Sequence, residues 1–202
     1  MVASKRVNQI LALLLILGGV WGSRIASAQD AASKEVEERT VYLGRRIAQT
    51  MGHQGAPWLI RETREVEENP TLVLEQLGVR AGMVVCDLGC GNGFYTLPLA
   101  KMVGEDGKVL AVDIQSEMLH LLALRAKDSQ MKNIQPILGT VHDPKLEENS
   151  VDLILMVDVY HEFSNPVGML AAMRKVAKEG WDDRFGGISR GRSEFRSNRC
   201  IK

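Results

Sequence analysis

The chain has 202 residues, 45% of them hydrophobic, and equal numbers of acidic and basic residues give a formal net charge of zero. This length and composition suit one ordinary globular domain with appended segments. The neutral charge and the lack of basic or aromatic runs argue against a nucleic-acid substrate. Three cysteines are too few for a disulfide framework, and no histidine or cysteine spacing indicates a metal site.

Residues 1–28 have the pattern of a secretory signal peptide. Lys5 and Arg6 form a basic start, and residues 10–20 are an apolar stretch too short to cross a bilayer comfortably. Residues 26–28 read Ala-Ser-Ala, an A-x-A cleavage site. Cleavage there would leave no stable membrane span and an exported protein, periplasmic or secreted. The alternatives are an uncleaved anchor or a misplaced start codon, and the latter would make the protein cytoplasmic.

Residues 29–70 are predicted to form a linker and a helical extension. Apolar side chains recur at roughly helical spacing from Glu37 to Met51. A loop rich in turn residues and a charged helix follow, and Asn69-Pro70 supplies an N-cap for a helix over residues 71–77.

This extension is a candidate lid over the site described below. The competing interpretation is a solvated, charged helix anchored by one tryptophan. The residues that would form the lid are His53, Trp58, Arg61 and Arg64.

Residues 71–179 alternate between strand and helix patterns. This alternation predicts an α/β fold, a doubly wound and mostly parallel sheet. The fourth strand is a near-continuous apolar run, as is typical of a central parallel strand. The predicted strands cover residues 83–87, 108–112, 134–138 and 151–157, and the predicted helices cover residues 94–103, the stretch after Ser116, and residues 165–178.

The first predicted strand ends in an acid and a glycine-rich loop, Asp87-Leu-Gly-Cys-Gly-Asn-Gly93. A backbone without Cβ atoms turns sharply and lets a ligand lie against it. The second predicted strand ends in Asp113, well placed to hold a ribose. Phe94 stands where the third glycine of a G-x-G-x-x-G dinucleotide fingerprint should be, which disfavours an NAD-type oxidoreductase.

The segment D-L-G-C-G-N-G-F resembles motif I of the class I S-adenosylmethionine (SAM)-dependent methyltransferases, and A-V-D-I-Q around Asp113 resembles that family's ribose-binding segment. The resemblance covers roughly residues 71–178. It implies a Rossmann-like core, SAM as cofactor and a small-molecule methyl acceptor. The implied cofactor-binding residues are Asp87, Gly89, Gly91, Asn92, Gly93, Asp113, Ile114, Asp143 and Asp158.

The resemblance also implies a role for several of these side chains. Asp87 would hold the amino-acid end of SAM, Asp113 the ribose hydroxyls, and Ile114 would pack on the adenine. The family often has an acid directly after the third strand, where it binds the adenine amine. In this chain the first acid after that strand is Asp143, several residues later, so this role is assigned to Asp143 from its approximate position alone.

The segment after the fourth strand lies where the family places its substrate-facing motif. Tyr160 and His161 are candidate catalytic residues, as a base or as groups that orient the acceptor. Glu162 would bind a cationic group. In the alternative interpretation, His161 caps a loop and Tyr160 packs.

Residues 180–202 form a tail without a strand pattern. The family has a K-P-G-G turn and further strands here, and a shift of one base in the reading frame is compatible with such a continuation. We therefore hypothesise a frameshift near Gly180; the alternative is a genuine tail. An intact-protein mass that matches an unbroken frame would exclude the frameshift. Missing strands would leave the apolar fourth strand at a sheet edge.

The sequence thus predicts a SAM-dependent methyltransferase that acts on a small molecule. The first alternative is a non-catalytic or decayed exported SAM-binding protein. The second, less favoured, is an NAD-type oxidoreductase. Nothing in the sequence fixes an oligomeric state.

Overall fold

The computed structural model describes residues 41–179, together with the backbone of residues 184–187 and 196–199. The predicted signal peptide and the linker up to residue 40 lie outside the described residues, as does most of the tail. Within the described range, no helix is long and apolar enough to cross a membrane.

Residues 41–46 form a small hairpin, and the helix predicted up to Met51 is wrong over this range. Strand β1 (Val41–Tyr42) pairs antiparallel with β2 (Arg45–Arg46). The two residues between the strands, Leu43 and Gly44, have φ angles of 47° and 81°. Two successive positive φ angles define the tight turn that matches the twist of a two-stranded hairpin, and a glycine at the second position favours it.

Three short helices precede the sheet, where the sequence predicted a charged helix and a capped one. They are α1 (Ala56–Leu59), α2 (Arg64–Glu68) and α3 (Pro70–Gln76). Asn69 ends α2 with a φ of 48°, and its side chain accepts a hydrogen bond from the backbone of Leu72. The predicted N-cap and the proline at the start of α3 are therefore confirmed.

Four parallel strands form the central sheet, in the order β5-β4-β3-β6. The strands are β3 (Val84–Leu88), β4 (Lys108–Asp113), β5 (Ile134–Leu138) and β6 (Leu153–Met156). The helices that connect or follow them are α4 (Thr96–Val103), α5 (Ser116–Asp128) and α6 (Pro166–Val176).

Helices cover both faces of this sheet, which confirms the doubly wound fold. On one face, Val85 and Val109 pack with α4 residues such as Leu99. On the other face, Cys86 packs with Met169 and Met173 of α6. Alternate residues of a strand point to opposite faces, so the apolar runs in β3 and β4 serve two cores at once.

Strand β6 forms one edge of the described four-stranded sheet, as expected for the fourth strand. Its regular pairing is shorter than the predicted 151–157, because Val151 makes only an isolated parallel bridge to Ala177. The tail was predicted to contain no strands, and this prediction is wrong. Two segments of it form strands, β7 (Arg184–Gly187) and β8 (Arg196–Arg199), which pair antiparallel.

Candidate functional site

The carboxyl ends of β3 and β6 meet at the point where the strand order reverses. β4 and β5 lie on one side of β3, whereas β6 lies on the other. Loops that leave two such strands diverge to opposite faces and open a crevice that α/β proteins use for ligands. The two loops approach closely here, since a Cβ atom at Gly89 would lie 2.5 Å from Cγ2 of Val159.

The glycine loop after β3 needs its glycines for conformation and for space. Gly89, Gly91 and Gly93 have φ angles of 74°, 53° and 86°, a region in which residues with a Cβ are strained. A Cβ atom at Gly93 would lie 2.3 Å from Cδ1 of Leu122 on α5. The loop is therefore a bare backbone surface, packed from below by α5.

Asp87 is 3% exposed and binds to the start of α4. Its Oδ2 accepts a hydrogen bond of 2.6 Å from the Thr96 hydroxyl. Burial raises the pKa of Asp87 to about 6, although the Thr96 hydroxyl opposes this shift. The nearby carboxylate of Asp113 raises the pKa further. The two acids that the motif analysis paired are thus close in space.

Asp113 joins the end of β4 to the glycine loop. Its Oδ2 accepts a hydrogen bond of 2.9 Å from the backbone of Gly91, and its Oδ1 accepts one of 2.9 Å from the backbone of Gln115. Burial raises its pKa, and these backbone donors oppose the rise. Ile114, the predicted adenine contact, is 41% exposed beside it, so an apolar surface adjoins the predicted ribose acid.

The loop after β5 places Asp143 at the same end of the sheet. The Gly139 amide donates to the Asp113 carbonyl at 2.9 Å, which puts the start of this loop beside β4. The Asp143 carboxylate forms an ion pair of 2.8 Å with Lys145, and the Lys145 hydrogen bond lowers its pKa. In this conformation Asp143 is engaged within its own turn.

The loop after β6 contains the other predicted residues. Asp158 has a φ of 54°, a left-handed conformation that is costly for a residue with a side chain and that often marks functional sites. Tyr160 is 47% exposed and contacts Phe163 edge to face. The His161 side chain is 53% exposed. Both candidate catalytic side chains are therefore accessible to an acceptor.

Glu162 is the second acid of this loop, and the sequence assigned it only a general role. Its side chain is 17% exposed. Burial raises its pKa to about 7, although hydrogen bonds from the Thr50 side chain and the Met51 backbone oppose the rise. The charges of Asp113 and Asp158 raise it further. Glu162 thus sits among the acids of the crevice.

Residues 48–64, which we call the strap, cross the carboxyl edge of the sheet. The Gln115 side chain binds the strap twice, donating to the Met51 carbonyl at 2.9 Å and accepting from the His53 amide at 3.0 Å. The Ala48 amide donates to the His161 carbonyl at 2.9 Å. The strap therefore contacts the loops after β4 and β6. The sequence did not predict this role for Gln115. Its position two residues after Asp113 was the only signal that could have indicated it.

Asn92 connects the strap to the glycine loop after β3. This side chain is 3% exposed, and its amide donates to the Ala56 carbonyl at 2.8 Å. Arg125 of α5 donates to the Asn92 carbonyl at 2.7 Å. The structure thus gives Asn92 a contact with the strap, where the sequence analysis assigned it to the cofactor.

Two arginines, Arg61 and Arg64, pack against aromatic rings at the end of the strap. Arg64 is 5% exposed, donates to the Leu59 carbonyl at 2.6 Å and lies 4.1 Å from the centre of the Phe94 ring. Arg61 stacks 3.8 Å from the ring centre of Trp58, which is 38% exposed. Arg64 is therefore a packing residue, whereas Trp58 keeps an accessible face.

Replacing Gln115 by alanine is expected to loosen the strap, because two hydrogen bonds to its backbone are lost. Each such bond contributes about 0.5–1.5 kcal/mol. We expect the His53 amide to exchange with deuterium at least about tenfold faster, as measured by hydrogen-exchange mass spectrometry. Gln135→Ala, at an exposed residue of β5, is the matched control. Unchanged exchange at His53 would show that Gln115 does not hold the strap.

The residues at this edge fit SAM. The ribose of SAM offers two hydroxyl donors, which match the Asp113 carboxylate. Its α-ammonium group and its sulfonium carry positive charge, which the acids Asp87, Asp158 and Glu162 would stabilise. The glycine loop keeps a bare backbone, because Val159 and Leu122 occupy the space that a Cβ atom at Gly89 or Gly93 would need, and a ligand can lie against such a backbone.

Comparison with known proteins agrees with this fit. A family model described as a methyltransferase domain matches residues 80–181, half of the chain. A demethylmenaquinone methyltransferase of Staphylococcus aureus (strain MRSA252) is 31% identical over 108 residues, which are 54% of this chain and 44% of that protein. One from Oceanobacillus iheyensis is 27% identical, over 53% of this chain and 45% of that protein. The alignments thus span less than half the length of these curated relatives.

Solved structures show the same core. A SAM-dependent methyltransferase from Aquifex aeolicus is 35% identical, with a TM-score of 0.61, over 64% of this chain and 69% of that chain. A putative one from Methanococcus maripaludis is 21% identical, with a TM-score of 0.56, over 70% of this chain and 67% of that chain, and supports the fold alone. The chain therefore belongs to the methyltransferase-domain family, and its core has the Rossmann-like fold of class I SAM-dependent methyltransferases.

Proposed function

We propose that this chain binds SAM at the carboxyl edge of the sheet and transfers its methyl group to a small molecule. The observation that supports this most strongly is the direct contact between the Asp113 carboxylate and the Gly91 amide at 2.9 Å. This contact joins the predicted ribose acid to the glycine loop at the switch point, the position at which α/β folds bind nucleotides.

In this proposal, each group of the crevice has one task. SAM supplies a methyl group already activated by its sulfonium, so the protein mainly aligns the acceptor with it. Asp113 orients the ribose, and the loop of Gly89 to Gly93 gives the cofactor a flat backbone surface. Asp87 holds the amino-acid end. Tyr160 and His161 orient the acceptor or take its proton, if the acceptor carries one at working pH.

The acceptor that we propose is small, because the strap crosses the crevice and the formal net charge of the chain is zero. The relatives named demethylmenaquinone methyltransferase make a demethylated quinol one acceptor to test. They share less than half of their length with this chain, so the proposal concerns the small-molecule class.

The test is a methyl-transfer assay with SAM carrying an isotopic methyl group. The protein is incubated with a panel of small acceptors, among them a demethylated quinol, and S-adenosylhomocysteine is quantified. Asp113→Ala is the inactive control. Acceptor-dependent formation of S-adenosylhomocysteine by the unaltered chain is expected. SAM that binds and stays intact with every acceptor would contradict the proposal and favour the non-catalytic alternative.

The strap is further proposed to act as a lid on the acceptor side. Trp58 is 38% exposed, and replacing it by alanine is expected to raise the KM of the acceptor about tenfold. This change corresponds to about 1.4 kcal/mol, which is within what the burial of one aromatic side chain against a ligand contributes. The affinity for S-adenosylhomocysteine should stay unchanged. Steady-state kinetics and calorimetry separate the two quantities, and an equal loss of both would point to folding damage.

A further inference from the structure

His161 and Glu162 lie side by side in the loop after β6. They end a single 3₁₀ turn, Tyr160–Glu162, whose N-cap is Val159. Val159 is the residue that packs against Gly89 of the glycine loop. Oε1 of Glu162 is 3.9 Å from Nε2 of His161, and the imidazole is half-exposed whereas the Glu162 side chain is largely buried. An accessible imidazole therefore lies next to a sheltered carboxylate.

A chain of hydrogen bonds joins Glu162 to the predicted ribose acid. The Glu162 carboxylate accepts hydrogen bonds from the Thr50 side chain and the Met51 backbone. The Met51 carbonyl accepts one of 2.9 Å from the Gln115 side chain, and the Gln115 amide donates one of 2.9 Å to Asp113. These contacts place the Glu162 carboxylate at the crevice and limit its rotation.

The orientation of the imidazole distinguishes its two nitrogens. Nε2 faces the Glu162 carboxylate, so in the neutral ring Nε2 carries the proton and Nδ1 is the acceptor. The 3.9 Å contact is longer than a hydrogen bond, and such contacts commonly shorten when the substrate binds. The nearby carboxylate also favours the imidazolium that forms when Nδ1 takes a proton.

We propose that His161 and Glu162 form a proton-accepting pair for an acceptor with a hydroxyl group, an inference that rests on the proposed function. Nδ1 of His161 takes the proton as the O–H bond of the acceptor breaks. The electron pair of that bond forms the new bond from oxygen to the methyl carbon, and the pair of the carbon–sulfur bond stays on sulfur. His161 is then the catalytic residue and Glu162 the positioning residue. The cationic group that the sequence assigned to Glu162 is the imidazolium of His161.

The pair needs an ionised Glu162, which makes it sensitive to pH. Burial raises the pKa of Glu162 to about 7. Below this pH the carboxyl group is protonated and no longer favours the imidazolium, so kcat should rise with pH through about 7. The groups that face Glu162, by contact or by charge, are Thr50, Met51, Asp113, Asp158 and His161.

The test compares Glu162→Gln, His161→Gln and the double variant in methyl transfer from SAM to phenols, among them the demethylated quinol. His161→Gln should lower kcat at least about a hundredfold, as for the loss of a general base. Glu162→Gln should lower kcat about ten- to a hundredfold near pH 8 and remove its rise with pH. The double variant should be within about twofold of His161→Gln, because Glu162 acts through His161.

Three measurements separate this role from folding damage. Glu162→Gln should be no less stable than the original chain near pH 8, since it removes a buried charge. Its affinity for S-adenosylhomocysteine should stay within about twofold of the original value. Nitrogen NMR of the unaltered chain above neutral pH should show the His161 proton on Nε2. Glu147→Gln, at an exposed position after β5, is the matched control and should leave kcat unchanged.

An unaltered rate or pH profile in Glu162→Gln would overturn the inference. Losses that multiply in the double variant, or a neutral His161 with its proton on Nδ1, would also overturn it. The same holds if the unaltered chain methylates only acceptors without a hydroxyl group. Absence of transfer to every acceptor would overturn the proposed function, and this inference with it.

Discussion

Replacing Asp113 by alanine is expected to weaken the binding of S-adenosylhomocysteine by at least about a hundredfold. The ribose hydroxyls would lose two hydrogen bonds to a charged acceptor, each contributing about 1.5–3 kcal/mol. The glycine loop would also lose its bond from the Gly91 amide, which is 2.9 Å long, so this loop would be less well ordered. Isothermal titration calorimetry on both proteins measures the change.

Two further variants sharpen this prediction. Asp113→Asn keeps one acceptor oxygen and nearly the same shape, so its affinity should fall between those of the original chain and Asp113→Ala. Asp106 is exposed and precedes the opposite end of β4, so Asp106→Ala is the matched control and should bind normally. Full affinity in a folded Asp113→Ala would remove Asp113 from the site.

Replacing Glu162 by glutamine is expected to stabilise the free protein above neutral pH. Burial raises the pKa of Glu162 from its ordinary value of 4.5 to about 7 in the folded state. Between these values the folded chain binds more protons than the unfolded chain, so stability falls as the pH rises. The fall, nearly complete above about pH 7, amounts to about 3 kcal/mol. Glutamine has no charge to bury, so the variant escapes this loss.

Urea unfolding near pH 5 and near pH 8 tests this prediction. Near pH 5 the variant and the original chain should have similar midpoints, because the folded Glu162 is protonated there and glutamine still accepts a hydrogen bond. Near pH 8 the variant should be more stable. Glu75→Gln, a replacement at an exposed position on α3, should have the same stability as the original chain at both pH values. A glutamine variant that is less stable near pH 8 would show that the ionised Glu162 is stabilising.

The sequence was sufficient to predict those elements of the fold that follow from a local pattern of apolar residues or glycines. The apolar runs of β3 and β4 are buried on both faces, and β3 ends directly before the first glycine of the motif, as the sequence predicted. The hairpin at residues 41–46 was mispredicted, because its apolar spacing fits a helix and only Leu43 and Gly44 determine the turn. Spacing decides a helix only where no turn residue competes with it.

The contacts of the strap could not be predicted from spacing. Gln115 and Asn92 bind backbone carbonyls that are 64 and 36 residues away along the chain. A backbone carbonyl carries no side-chain signature, so nothing in the sequence pairs these residues.

The proposed SAM site is tested most directly by a calorimetric titration of the unaltered chain with S-adenosylhomocysteine, and in parallel with NAD. We predict one-to-one binding of S-adenosylhomocysteine and no binding of NAD, because the proposed site consists of Asp113, the glycine loop and the acids after β6. A folded chain that does not bind S-adenosylhomocysteine, or that binds NAD instead, would contradict the proposed site.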